Sequence, residues 1–178
     1  MKDYPITEQQ AKDMFEAHSA YIYGIALMMT KQRVLADDIT QETFLRAFAK
    51  YHLYDPSRPL RPWLYRIAVN TSRNLLRRKT WIQLLAGVPI EGKEHSAESI
   101  ALHSENQLEL WQAVSHLSAK LREVISLHYY AGLSLPETAE VLSIPLGTCK
   151  SRLHAALRKL RECGELDPGV LMMKEGLK

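Results

Sequence analysis

Residues 133–160, LSLPETAEVLSIPLGTCKSRLHAALRKL, leave the backbone few choices. Ser134 followed three positions on by Glu137 is a capping box, which marks the first turn of a helix. Leu135, Ala139 and Leu142 then recur at helical spacing. Ser143-Ile144-Pro145 ends that helix, because proline fixes its own φ and turns the preceding residue away from helical geometry. A second helix follows, with Cys149, Leu153, Leu157 and Leu160 on one face and Lys150, Ser151, His154, Arg158 and Arg161 on the other. This is the pattern of a helix-turn-helix whose second helix lies against DNA. An amphipathic helical hairpin with a solvated basic face would show the same periodicity. The position of the turn, and the absence of any acid between Thr148 and Arg161, favour DNA.

The rest of the chain reads as helix too, since alternating β-branched runs are missing. A first helix is expected from a cap at Thr7 to about Lys31, and a second from about Ala36 to Tyr51. In the second, Leu35, Ile39, Ala47, Phe48 and Tyr51 point one way, while Asp38, Gln41, Glu42 and Arg46 lie elsewhere. Residues 54–62 carry Pro56, Pro59 and Pro62 and form a loop. A third helix is expected from Pro62, tolerated in a first turn, to about Lys79. Its core face is Leu64, Ile67, Ala68, Thr71 and Leu75; Arg66, Asn70, Arg73 and Arg77 make one polar stripe. The fold class is therefore all-α, with two small helical domains joined by a flexible acidic linker. The boundaries are a first domain at 1–80, the linker at 81–104, a second domain at 105–164 and a tail at 165–178.

Charge is distributed unevenly. Residues 57–80 hold seven cations and no acid, residues 81–111 hold five acids against Lys93, and residues 112–163 are basic again, seven to four. Two basic blocks around an acidic bridge suggest two nucleic-acid surfaces. In the first block Tyr51, Tyr54, Trp63 and Tyr65 interleave with Arg58, Arg61, Arg66, Arg73 and Arg77, and with the amide of Asn70. Rings for stacking, cations for the backbone and an amide for a base edge suit single-stranded DNA. Trp63 and Tyr65 are equally readable as core anchors of a bundle. The run at 36–48 presents Asp37, Asp38, Gln41 and Glu42, either a solvated first turn or a face for docking a protein.

Catalytic chemistry finds no support. No nucleophile elbow, phosphate-binding loop, dinucleotide turn or zinc-protease motif occurs. Asp37 and Asp38 are sequence neighbours and diverge around a helix. The histidines, His116, His128 and His154 included, lack ligand-spaced partners, so no catalytic residue, metal site or cofactor is expected. Cys149 and Cys163 form neither a disulfide framework nor a zinc pattern. With no leader and no long apolar run, a cytoplasmic protein is expected.

DDITQETFLRAF, RPWLYRIAVNTSRNLLRR and the region from Leu121 to Leu160 resemble, in that order, three segments of the extracytoplasmic-function group of the sigma-70 family of RNA polymerase sigma factors. The likeness covers about residues 10–163. It implies a non-enzymatic specificity subunit with core RNA polymerase and promoter DNA as partners and no small-molecule substrate. Asp37, Asp38, Gln41 and Glu42 would meet core polymerase. Tyr54, Arg58, Arg61, Trp63, Arg66, Asn70, Arg73 and Arg77 would serve the −10 element, with a flipped base captured near residues 54–62 and the first domain as region 2. His128, Thr148, Lys150, Ser151, Arg152, His154 and Arg158 would serve the −35 element from region 4. The acidic linker would thread the polymerase channel later taken by RNA. The resemblance also implies a membrane-anchored anti-sigma partner. Ser143 stands where the family often has glycine, Ala155 where many members have arginine, and His154 where an aromatic or arginine is frequent. Two other readings are a free-standing helix-turn-helix regulator, which leaves residues 54–79 unused, and a nucleic-acid enzyme, which lacks a catalytic constellation.

Overall fold

The structure is a computed structural model that describes residues 6–86 and 114–162. The chain divides into two compact units, Met1–Glu94 and His95–Lys178. Every regular element among the described residues is helical.

The first unit packs α1 (Glu8–Thr30), α2 (Arg33–Ala49) and α3 (Leu60–Leu85) against one another. Thr7 caps α1 reciprocally with Gln10: the Gln10 amide donates to Thr7 Oγ1 (3.2 Å) and the Thr7 amide donates to Gln10 Oε1 (3.0 Å). Six consecutive residues from Ile25 to Thr30 are buried, so the last turns of α1 are enclosed on all sides. Ile22, Ile39, Leu64, Tyr65, Ala68 and Val69 complete the centre of this core. Thr30 is the polar member of the run, and its hydroxyl donates back to the Ala26 carbonyl at 2.8 Å.

Helix limits differ from the sequence expectation in four places. α2 begins at Arg33 rather than Ala36, because left-handed Lys31 (φ 59°) and extended Gln32 reverse the chain within two residues. It stops at Ala49, and Tyr51–Leu53 form a 3₁₀ turn instead. α3 starts at Leu60 after extended Pro59, which leaves Pro62 in the first turn, where its missing N–H costs no helical bond. It continues through Leu85, since residues 80–85 contain no breaker; residues 81–85 are therefore helix and not linker. Residues 87–104, the expected start of the second domain near residue 105, and the tail at 165–178 lie outside the described residues.

The second unit contains α4 (Ala119–Ile125), a π-helical turn (Ser126–Tyr130), α5 (Leu135–Leu142) and α6 (Leu146–Glu162). His116 lies in the turn ahead of α4 rather than on a helix. Gly132 takes a left-handed φ of 70°, which lets the Leu133 amide donate to the Leu127 carbonyl (3.0 Å) and stops the helix. The capping box expected at Ser134 is present: Glu137 N–H meets Ser134 Oγ, and Ser134 N–H meets Glu137 Oε2 at 2.8 Å. α5 ends on left-handed Ser143 (φ 55°), whose amide donates to Glu140 while the Ile144 amide donates to Ala139. This Schellman pattern ordinarily uses glycine. Val124, Ile125, Leu127, Val141, Leu142, Cys149, Ala156 and Leu160 fill the core between α4, α5 and α6. Ala156 takes the buried place expected for Leu157, which is half-buried.

Two substitutions on α5 should move stability in opposite directions. Ser134→Ala removes a cap and should cost about 1 kcal/mol. Ser143→Gly relieves a left-handed non-glycine residue, worth about 1–2 kcal/mol. It gives back part of that in unfolded-chain entropy, for a net gain of about 0.5 kcal/mol. Urea midpoints of the full-length chain, read on the transition that carries this unit, check both signs.

Candidate nucleic-acid and protein interfaces

The loop before α3 is built by its own short-range chemistry. Asp55-Pro56-Ser57-Arg58 is a β-turn closed by the Arg58 amide donating to the Asp55 carbonyl at 3.0 Å, with proline at the second position. Asp55 Oδ1 accepts from the Ser57 hydroxyl (2.8 Å) and amide (3.0 Å), and Arg58 Nε lies 3.9 Å from Asp55 Oδ2. The Ser57 bonds, more than Arg58, hold the Asp55 carboxyl below its ordinary range. Tyr54 donates its hydroxyl to the Arg58 carbonyl at 2.6 Å, so this ring straps the loop across its ends. Burial pushes the Tyr54 phenol up, with Tyr51 and Asp55 adding to the shift.

Three rings stand at the foot of this loop. Tyr54 lies 5.2 Å from Trp63 and 5.7 Å from Tyr51 between centroids, and Tyr51 meets Trp63 edge-on at 6.5 Å. All three are half-buried, so one side of the cluster faces solvent. Tyr65 differs: it is fully buried and is a core anchor. Arg61 lies over the Tyr21 ring (5.7 Å) and the Tyr65 ring (5.9 Å), an arrangement that orients its guanidinium by cation–π attraction. His18 approaches Tyr65 edge-on at 6.1 Å. Tyr21 and His18 on α1 were not legible as part of this site, because α1 shows no local signal beyond amphipathicity.

Trp63, Arg66, Asn70, Arg73 and Arg77 follow one another at steps of three and four along α3, so they share one stripe about 20 Å long. Asn70 and Arg77 are exposed, Arg66 and Arg73 half-buried. Arg77 donates to the Asn74 side chain at 2.7 Å. The face beneath buries Leu64, Ala68, Thr71 and Ser72.

A second surface lies between α2 and α3. A groove of about 500 Å³ is lined on α2 by Asp38, Gln41, Glu42, Leu45 and Arg46, and on α3 by Thr71, Asn74, Leu75 and Arg78. Three of the four residues expected to dock a protein are thus brought together. Asp37 is not; it is exposed beside Tyr23 of α1, whose phenol burial and Asp37 both push up. Glu42 Oε1 accepts from Arg46 Nε at 2.6 Å, so its charge is partly spent within α2. Leu45 is 57% exposed in the middle of this polar wall. Leu45, Asn74 and Arg78 were missed by sequence reasoning, since only the packing of α3 on α2 aligns them with the acids.

The third surface is α6. Lys150, Ser151, His154 and Arg158 are exposed, while Thr148 and Arg152 are half-buried. Ser151 donates its hydroxyl to the Thr148 carbonyl at 3.0 Å, and Arg158 Nε lies 3.8 Å from Glu162. Burial raises the Cys149 thiol, which is a packing group and not a nucleophile. His128 stands apart from this helix on the π-helical turn. Its Nδ1 is 2.7 Å from the Leu133 carbonyl, so Nδ1 carries the proton and His128 braces the turn into α5.

No cluster of metal-ligating side chains occurs among the described residues. None of their helices is long and apolar enough to cross a membrane.

Residues 14–82 match the family model for sigma-70 region 2, and residues 107–160 match that for sigma-70 region 4. The sequence is 34% identical over 150 residues to the ECF RNA polymerase sigma factor SigL of Mycobacterium tuberculosis, covering 83% of this chain and 85% of the relative. Among solved structures it is similar to the sigma factor RpoE from Bartonella quintana, seen in complex with the anti-sigma factor NepR. That match has a TM-score of 0.73 and 27% identity, over 88% of this chain and 97% of the other. It is also similar to CnrH of Cupriavidus metallidurans, seen in complex with the cytosolic domain of CnrY. There the TM-score is 0.68 and the identity 25%, over 90% of this chain and 91% of the other.

Burial, and then the positive charge of Arg61, lower the pKa of His18 below its ordinary value of 6.5. The unfolded chain therefore takes up this proton at a higher pH than the folded one. The stability His18 contributes is complete above pH 6.5 and is lost as pH falls below it. His18→Gln should flatten that decline. Urea midpoints of the first unit at pH 7.5 and pH 5.5, compared between parent and variant, check it.

Proposed function

The chain belongs to the extracytoplasmic-function group of sigma-70 RNA polymerase sigma factors, and from that premise we propose how its surfaces divide the work of promoter-specific initiation. The chain directs core polymerase to promoters, working in the cytoplasm where polymerase and DNA are, without catalytic chemistry of its own. The observation that carries the division is the segregation of charge in the first unit. The acidic wall of α2 faces one groove, and the cation stripe of α3 continues from the ringed loop.

The groove between α2 and α3 docks core polymerase. Leu45 supplies the apolar anchor, with Asp38 and Gln41 as polar contacts around it. The loop at residues 54–59, with Tyr54 and Trp63, receives an unstacked base of the −10 element. Asn70 bonds the base edge, and Arg58, Arg61, Arg66, Arg73 and Arg77 hold the displaced strand. α6 enters the duplex major groove at the −35 element, where Lys150, Ser151 and His154 reach base edges. Thr148, Arg152 and Arg158 meet phosphates, with His128 bracing the neighbouring turn. The residues at 87–104 that follow α3 contribute acidic charge suited to the polymerase channel. The two similar structures were seen with anti-sigma proteins, one of them a cytosolic domain. This supports an anti-sigma partner here too, membrane-anchored and masking these faces until released. A free-standing helix-turn-helix regulator is not favoured, because it gives the first unit no task.

Asp38→Lys and Leu45→Ala should each weaken core binding about tenfold while helical content is unchanged, as expected for an interface anchor and its polar neighbour. A pull-down titration against core polymerase measures this, and unaltered affinity in both variants removes the groove assignment. Asn70→Ala should spare recruitment to closed duplex and reduce open-complex formation, since base extrusion already costs a few kcal/mol. Lys150→Ala with Ser151→Ala should do the reverse. Permanganate reactivity of opened thymines beside binding titrations separates the two; loss of the same step in both variants refutes the division.

A further inference from the structure

Gly147 occupies the second position of α6, and nothing inside the folded unit asks for a glycine there. A Cβ built on it meets no atom within 4 Å. Its backbone is not left-handed, in contrast to Gly132 at φ 70°, where the turn does require the residue. Glycine is a poorer helix former than alanine, so its presence in an exposed helical turn works against α6 itself. Packing, turn geometry and helix propensity therefore all fail to explain it.

Position and register supply the explanation. Gly147, Ser151, His154 and Arg158 follow at steps of four, three and four, so they lie on one stripe of α6. Ser151, His154 and Arg158 are exposed, and no acid occurs from Thr148 to Arg161. Gly147 is the N-terminal end of that stripe, and there the side chain is missing. The result is a notch that bares the backbone of the first helical turn on the side turned to DNA. We infer that Gly147 is a close-approach position: the duplex backbone at the −35 element seats directly against the main chain of α6, and any side chain at 147 holds the two surfaces apart. Its role is positioning. It sets how deeply Lys150, Ser151 and His154 reach into the groove, and it rests on the reading of α6 as the −35 helix.

The test uses full-length chain assembled with core polymerase. Holoenzyme of the parent sequence first selects a preferred duplex from a library of linear DNA randomised across the upstream element, and that duplex is the probe. Gly147→Ala should bind it about tenfold more weakly, the loss expected when one set of groove contacts is displaced. Gly147→Val should lose more, in keeping with its volume. The Tm of Gly147→Ala should equal or exceed the parent's, which separates the effect from misfolding. A fall in Tm overturns the inference, because the fold would then be what demands glycine. Binding within twofold of the parent by Gly147→Ala, while Lys150→Ala with Ser151→Ala loses binding, overturns it and leaves the −35 assignment standing. Full binding by all of these variants overturns both.

Discussion

Burial of one face of each cation-rich helix is the interaction on which the rest of this structure depends. α3 carries six cations and no acid over its whole length. Like charges at helical neighbours cost about 0.2–0.5 kcal/mol a pair. Each fully buried side chain of the size of Leu64 or Val69 returns about 1.5–3 kcal/mol. The apolar term wins, so the helix can hold an unbalanced positive stripe above a core that does not need it. The same holds for α6, where Cys149, Leu153, Ala156 and Leu160 lie under Lys150, Ser151, His154 and Arg158. Charge in this protein is carried by burial of the opposite helix face.

The turns set where those stripes begin. Three of them are fixed by local chemistry: the Ser134 cap with left-handed Ser143, the Asp55 turn with proline at its second position, and left-handed Gly132 after a π-helical turn. Each limits the helix beside it to within a residue, and so fixes which side chains face out. Long-range links join the helices to one another. Lys79 donates to Gln32 at 2.7 Å and ties the last turns of α3 to the bend between α1 and α2. Arg61 bridges to the ring of Tyr21 on α1.

A sigma subunit has to hold a protein and nucleic acid at once, and on the division proposed above the first unit gives each its own helix face. On α2 Asp38, Gln41 and Glu42 line a groove with the large exposed side chain of Leu45, a composition suited to a protein surface. On α3 the cations follow half-buried rings, a composition suited to an unpaired strand. Arg46 and Arg78 sit inside the acidic groove, where they keep its field from being uniformly negative.

The sequence by itself determined the helical class, the two basic surfaces, the helix-turn-helix and the family. The first three rest on periodicity, charge, caps and breakers that act over short stretches of chain, and the family on the resemblance of three segments in their order. It also placed the cation stripe of α3 and the exposed face of α6, because register along a helix is a local property. It misjudged the limits of α2 and α3, where left-handed Lys31 and a run without breakers decided the matter. Only the tertiary structure decided which of two rings was core, Tyr65, and which stood at the surface, Trp63. It alone separated Asp37 from Asp38, Gln41 and Glu42, and set Leu45 against Arg78. It alone set the His128 ring against the Leu133 carbonyl at the turn into α5. Those outcomes depend on which helix packs beside which, and no window along the chain carries that information.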